Sequence, residues 1–307
     1  MTTDTETGPD AAASVVRGHE ADSGHAQRET EWETQQHVYE PHRVGLPPIV
    51  PYVRELWRRR EFALELSRTN LQSQHFDTVF GQAWLVLNPM LLALVYFVLV
   101  DILRHGHRPH GFFAHLVAGI FAYYFVSGAV RDGVKSVTAG GKLVLNTAFP
   151  RILLPTSSVI TAFYRFVPTF VIYIPVHLIS GLPVTWNTLW LIPIIALLGM
   201  VAAGFAMFLA ALQVYFRDVK SFLPYVLRLW LYASPVLWYA NEVPNHWDWL
   251  IKVNPIGGLL AAWSRVLQSG HPPQPLYMLL GLAWGVALFV GGALFFMSRE
   301  REFAVRL

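Results

Sequence analysis

"GQAWLVLNPMLLALVYFVLVDIL" occupies Gly81–Leu103 and carries one charged residue, Asp101, near its far end. A bilayer core about 30 Å thick is crossed by roughly 20 apolar residues in a helix. This stretch is long enough to span and too apolar to rest in water. Five further stretches share its character: Phe112–Val130, Leu153–Ile179, Leu189–Phe216, Phe222–Tyr239 and Leu276–Met297. The fifth is short and interrupted by Pro224 and Pro235. Pro168, Pro175 and Pro193 also fall inside spans, where neighbouring helices satisfy the freed backbone groups. The expected fold is therefore an all-α polytopic membrane protein with six transmembrane helices.

Composition points the same way. Of 307 residues 54% are hydrophobic and 14% charged, where a soluble domain carries about 25% charged residues. Cysteine is absent, so no disulfide framework, thiolate metal site or cysteine nucleophile exists. The first 45 residues hold no apolar run, so no cleavable signal peptide is expected among them. Their nine acidic and three basic residues, set among small polar ones, read as a disordered acidic cytoplasmic tail over 1–47. The remainder holds 20 basic and 11 acidic residues. These cations sit at the ends of apolar stretches, which fits membrane lipids and argues against nucleic acid. Arginine outnumbers lysine 19 to 4, the usage of a GC-rich bacterial genome such as an actinomycete's.

Orientation follows from the Lys/Arg bias. With the N-terminus inside, the inner flanks collect fourteen cations, among them Arg54, Arg131, Lys135, Lys142, Arg151, Arg217, Arg299 and Arg306. The outer loops collect three, Arg104, Arg108 and Lys252. Both termini are expected to be cytoplasmic.

Two segments are neither loop nor span. Tyr52–Leu71 mixes Val53, Leu56, Trp57, Leu64 and Leu71 with Arg58, Arg59, Arg60 and Arg68. Such a helix lies in the membrane plane with its arginines toward the headgroups; a solvated helix leading into span one is the alternative. It belongs to a segment, 48–80, that precedes the transmembrane body, 81–307. Glu242–Gln268 is too broken to span and too apolar for an ordinary loop, and reads as outer re-entrant half-helices between spans five and six.

Chemistry is scarce. No acidic residue lies inside a span, where an ion-driven transporter places one. The outer acids Asp101, Glu242 and Asp248 are scattered, so no catalytic pair is expected. His105, His107, His110 and His115 crowd the first outer loop without a carboxylate or cysteine beside them, and no metal site is assigned. "GGK" at Gly140–Lys142 is not a phosphate loop: Leu143 follows the lysine, and Ser136 stands where the first glycine belongs. Ala202, Ala206 and Ala210, and the pair Gly281 and Gly285, permit close helix packing, within one subunit or along a dimer seam. Trp230, Tyr232, Trp238 and Tyr239 lie toward the outer half. They serve either as belt anchors or as stacking faces for sugar rings, a surface that would suit a long polymer sliding past.

Four ordered pieces carry a resemblance. They are "RTNLQSQHFDTVFGQAWLVLNPML" (Arg68–Leu91), "LVLNTAFPRILLP" (Leu143–Pro155), "VYFRDVKSFLPYVLRLWLYASPVLW" (Val214–Trp238) and "VNPIGGLLAAWSRVL" (Val253–Leu267). In this order the chain resembles the membrane subunits of type 2 ABC exporters that move polysaccharides and teichoic acids on lipid carriers. Gln74-His75-Phe76-Asp77 departs from the basic stretch many members carry there. The resemblance implies a homodimeric permease in a bacterial inner membrane. It also implies two copies of a separate ABC ATPase, which bind the ATP and Mg; this chain holds no cofactor. The cargo implied is a polysaccharide on a polyprenyl diphosphate. An actinomycete source favours a cell-wall galactan precursor, ahead of an O-antigen-like glycan or a teichoic acid. A membrane-embedded glycan-processing enzyme and an assembly scaffold remain alternatives.

Within that frame Arg58, Arg59 and Arg60 are expected at the lipid diphosphate or at ordinary headgroups. Trp230, Tyr232, Trp238 and Tyr239 are expected to face a glycan path near the exit. Lys142, Leu143, Leu145, Asn146, Phe149, Pro150 and Arg151 form the expected ATPase-coupling elbow. Gly140-Gly141 would end span two in the left-handed conformation, Pro150 would bias Phe149 away from helix, and Pro155 would restart the chain in span three.

Overall fold

The computed structural model describes residues 47–73, 80–107, 109–147 and 149–306. Of the expected acidic tail only Pro47 is among them, and positions 74–77 lie outside them. Among the described residues the regular structure is helical, without strands. In chain order the helices are α1 (Ile49–Arg58), α2 (Arg60–Ser73), α3 (Trp84–Leu103), α4 (Phe112–Ala139), α5 (Gly141–Asn146) and α6 (Leu153–Ile179). There follow α7 (Leu191–Tyr215), α8 (Val219–Tyr232), α9 (Trp249–Val253), α10 (Gly257–Ser269), α11 (Pro275–Arg299) and α12 (Phe303–Arg306).

Five of these, α3, α4, α6, α7 and α11, are long and apolar enough to cross a bilayer. The protein is an all-α polytopic membrane protein. The expected fifth span takes another form. Pro235 disfavours helix at Ser234, and α8 stops at Tyr232 after 14 residues. It rises about 21 Å, short of a hydrocarbon core of about 30 Å. Irregular backbone continues the passage to a 3-10 turn at Ala240–Glu242.

Contacts between distant segments define two ends of the bundle. At the end called basal here, Tyr52 reaches Glu300 and Tyr215 reaches Glu302, each at 2.5 Å. At the apical end Arg104, after α3, pairs with Glu242. The chain from α8 to Glu242 thus runs from the basal to the apical end.

Helix α4 is the central mast. Its Ala, Gly, Ser and Val residues let neighbours approach on nearly every side, and it is buried along most of its length. It outruns the expected boundary at Val130 because Asp132 pairs with Arg165 of α6 at 2.8 Å, so the charges end the apolar run but not the helix. Helices α7 and α11 cross at Gly204 and Gly292, where a Cβ on either would strike the backbone of the other. Ala202, Ala206 and Ala210 are buried, Gly281 backs onto Leu259 and Gly285 onto Met200. Each of these small residues therefore has a packing role within the subunit. Outward faces of α3, α6, α8 and α11 stay apolar and exposed, as lipid contact requires.

The amphipathic segment is two helices, broken at Arg59. Helix α2 packs against α6, with Ala63 and Ser67 buried and the Thr161 hydroxyl 3.1 Å from that of Ser67. Helix α1 turns Tyr52 and Leu56 to the bundle and leaves Ile49, Val50, Val53 and Trp57 exposed.

The segment between α8 and α11 dips into the bundle and returns. Helix α9 leads to Asn254-Pro255, and α10 leads back to Gly270. There a left-handed glycine (φ 64°) ends the helix and its carbonyl accepts from Thr185 and Asn187. At the turn the Asn254 amide accepts from the indole N–H of Trp230 at 2.8 Å and donates to Ser234 at 2.9 Å. Trp263 of α10 is 1% exposed and packs on Phe166 and Phe170. The geometry is that of two half-helices entering from the apical end.

Candidate functional site

The elbow between α4 and α6 is built by short-range chemistry. Gly140 ends α4 at φ −83°, not in the left-handed region. Its value lies in its missing side chain, since a Cβ would sit 3.0 Å from the Ser136 carbonyl oxygen and 3.4 Å from Leu154. Helix α5 restarts at once. Val144 is buried beneath it, Leu143 is partly buried, and Leu145 is 57% exposed beside exposed Asn146. Of the two leucines expected to offer apolar surface, Leu145 is the one that faces outward.

The Lys142 side chain lies outside the described residues, while Phe149, Pro150 and Arg151 face inward. The Phe149 ring lies 5.0 Å from that of Phe62 in α2, and Pro150 is buried. The backbone N–H of Arg151 donates to the Glu300 carboxylate at 2.5 Å, and its guanidinium donates to the Glu300 carbonyl. The same carboxylate accepts from Tyr52. Burial and the adjacent Glu300 push the Tyr52 phenol far above its ordinary range. One acidic side chain therefore joins α1, the elbow and the end of α11.

The three arginines expected at a diphosphate divide their work. Arg58 and Arg59 both pair with Glu55, and Arg60 lies over the Trp57 ring at 5.0 Å. The Arg58 side chain, 74% exposed, is the most accessible of the two that pair with Glu55.

At the apical end a cavity of about 500 Å³ lies among Tyr239, Glu242, Ser264, Arg265, Gln268 and Tyr277. Arg104 grips Glu242 with two parallel bonds, at 2.9 and 2.5 Å. That grip, more than any other influence, holds the Glu242 carboxyl below its ordinary range and raises the guanidinium. Tyr239 stacks on His115 at 4.1 Å, and His115 hydrogen-bonds Ser264 at 2.8 Å. The expected aromatic quartet separates. Tyr239 lines the cavity, Tyr232 is exposed, and Trp238 donates to the Tyr232 carbonyl. Trp230 is a strut, packed between Tyr123 and Phe205 and bonded to Asn254.

Reading acids alone inside the spans misses two basic residues. Arg165 sits mid-way along α6 and Arg228 within α8. The signal was present as an arginine inside a hydrophobic stretch, where an ionisable side chain marks function by default.

Several spans around a buried mast, a braced elbow and apical half-helices define a multi-pass membrane protein. The ABC-2 type transporter model matches residues 63–262, and the chain belongs to that family. It is similar to two O-antigen export system permease proteins RfbA of Klebsiella pneumoniae. One is 24% identical over 75% of this chain and 89% of the relative. The other is 23% identical over 78% and 92%. The O-antigen export system permease protein RfbA of Myxococcus xanthus is 26% identical over 83% of this chain and 99% of its own.

Proposed function

We propose that this chain is the membrane permease of an ATP-driven exporter of a polyprenyl-diphosphate-linked polysaccharide. Two copies would form the passage, and two copies of a separate ABC ATPase would dock at the basal, cytoplasmic face of the inner membrane. The carrying observation is the elbow, a short helix with Leu145 exposed and its base tied to α2 and Glu300. Stiffness is what transmitting a partner's closure to α4 and α6 demands. Both termini are read as cytoplasmic because the α1 and α11 ends meet at the basal face, where the Lys/Arg excess lies.

The relatives' names favour an O-antigen-like glycan as cargo. A galactan precursor rests only on the arginine-rich composition, and nothing found favours a teichoic acid. The exposed apical residues Tyr232 and Trp247 suit sugar rings, and Arg58 suits a headgroup. The enzyme reading loses ground at the apical acids, since Glu242 is gripped by Arg104 and Asp248 by Lys252 at 2.7 Å. The test is expression of the chain with its ATPase in cells that make the lipid-linked glycan but cannot export it. Glycan should reach the surface only when both subunits are present. Glycan retained inside with both present would overturn the proposal.

A further inference from the structure

Helix α6 carries one residue with a permanent charge, Arg165, between Tyr164 and Phe166. Its Nη1 reaches Asp132 of α4 at 2.8 Å, but Nε and Nη2 are buried without a hydrogen-bond partner. Those two atoms form the edge of a guanidinium that grips phosphate or carboxylate with paired bonds. Left unpaired in a low-dielectric site they are costly, so the arrangement is poised for an acceptor.

Two cavities meet at this side chain. One, of about 300 Å³, lies between α2, α4 and α6 and takes in Asn70, Asp132 and Lys135. The other, of about 250 Å³, lies between α3, α4 and α6 and takes in Trp84, Asn88 and Arg131. The second has room for about eight water volumes. Asn88 and Arg131 are exposed at its rim. The charged groups are Arg131 and Lys135, exposed at the cavity mouths, and Arg165 within, against the one acid Asp132, an excess of positive charge. Trp84 begins α3, and tryptophan at the end of a span marks headgroup depth.

We propose that the cavity shared by α3, α4 and α6 binds the phosphate of a membrane lipid headgroup, anchored on Arg165 and flanked by Arg131. Identifying that lipid as the diphosphate carrier of the cargo rests on the export reading above. Asp132 holds the guanidinium when the site is empty, and the incoming phosphate takes the other edge. The site is separate from Arg58, Arg59 and Arg60, whose visible partners are Glu55 and Trp57.

The test uses the full chain purified in a maltoside detergent, which has no phosphate. Native mass spectrometry then reads retained polyprenyl diphosphate, phosphatidylglycerol or inorganic pyrophosphate. Arg165→Gln should weaken lipid binding about tenfold, as loss of a charged hydrogen-bond pair does. Arg131→Gln should weaken it less, and Asp132→Asn, which keeps size and leaves Arg165 in place, should strengthen it. Preference for the diphosphate over phosphatidylglycerol identifies the carrier, and equal binding identifies an ordinary anionic lipid; either upholds the phosphate site. Competition by pyrophosphate alone shows that the phosphate is what is read. Binding unchanged in both Arg165→Gln and Asp132→Asn would overturn it. Arg165-dependent binding in a chain that fails to export glycan would sink the export reading and uphold the site; glycan export with Arg165-independent binding would do the reverse.

Discussion

At the basal end one carboxylate, Glu300, holds α1 and the elbow against the end of α11. At the apical end the work is spread over the Arg104–Glu242 pair, the Asn254 turn and the stack of Tyr239 on His115, around a cavity of about 500 Å³. The basal end is closely braced, with Glu300 as its most connected tie beside the Tyr215–Glu302 contact. The apical end is roomy and pinned at several points. On the proposed export reading, a closely braced basal face would pass a partner's movement as one piece.

If Glu300 is the main tie of the basal end, removing it should have the largest effect. Glu300→Ala strips the acceptor from Tyr52 and from the Arg151 N–H, and should cost about 3–4 kcal/mol, as leaving two part-buried donors without a partner does. Thermal unfolding in detergent checks this. A loss no larger than that of an exposed-residue variant would erase the contrast between the ends. Gly204→Ala tests the waist that both ends share. Its methyl would meet the Leu288 backbone, which cannot swing aside, so overpacking of about 3 kcal/mol is expected in the same assay.

Asn254→Ala should cost about 2 kcal/mol, because the Trp230 indole and the Ile256 N–H both lose their acceptor. The damage should stay apical. Protease digestion should open the stretch around Asn254 while the elbow remains protected; cleavage at the elbow as well would show that the ends are not independent. The smallest effect is acid loosening of the Glu242 turn. Its carboxyl is held below the ordinary range, so its contribution is complete above the unfolded value, about 4.3, and is lost as pH falls through the folded value. Hydrogen exchange at 240–243, corrected for intrinsic rate, should be flat from pH 7 to 5 and rise only below about pH 4. A rise already near pH 6 would contradict the Arg104 grip.

Most of the fold was legible because hydropathy and length report directly on burial in lipid. The five long helices fall close to the expected spans, and the re-entrant turn announced itself in Asn254-Pro255. The fifth passage was harder: Pro235 was visible, but not that the chain would go on as irregular backbone capped by Asn254. Gly140 was misread because glycine serves two needs, positive φ and close approach, and only neighbours in space tell them apart. Phe149 and Arg151 looked like surface residues of the elbow because their partners, Phe62 and Glu300, lie 87 and 149 positions away in sequence. Trp230 was grouped with Tyr232 by adjacency, yet successive helix residues point apart.

The central claim is that the elbow couples an ATPase through Leu145 while Phe149 only braces it. The most direct measurement compares Leu145→Asp with Phe149→Leu in the complex with the ATPase, reading co-purification and glycan-stimulated ATP hydrolysis. Leu145→Asp should detach the ATPase or abolish stimulation while the permease still inserts at wild-type levels, and Phe149→Leu should keep most of both. Full co-purification and stimulation in Leu145→Asp would contradict the account.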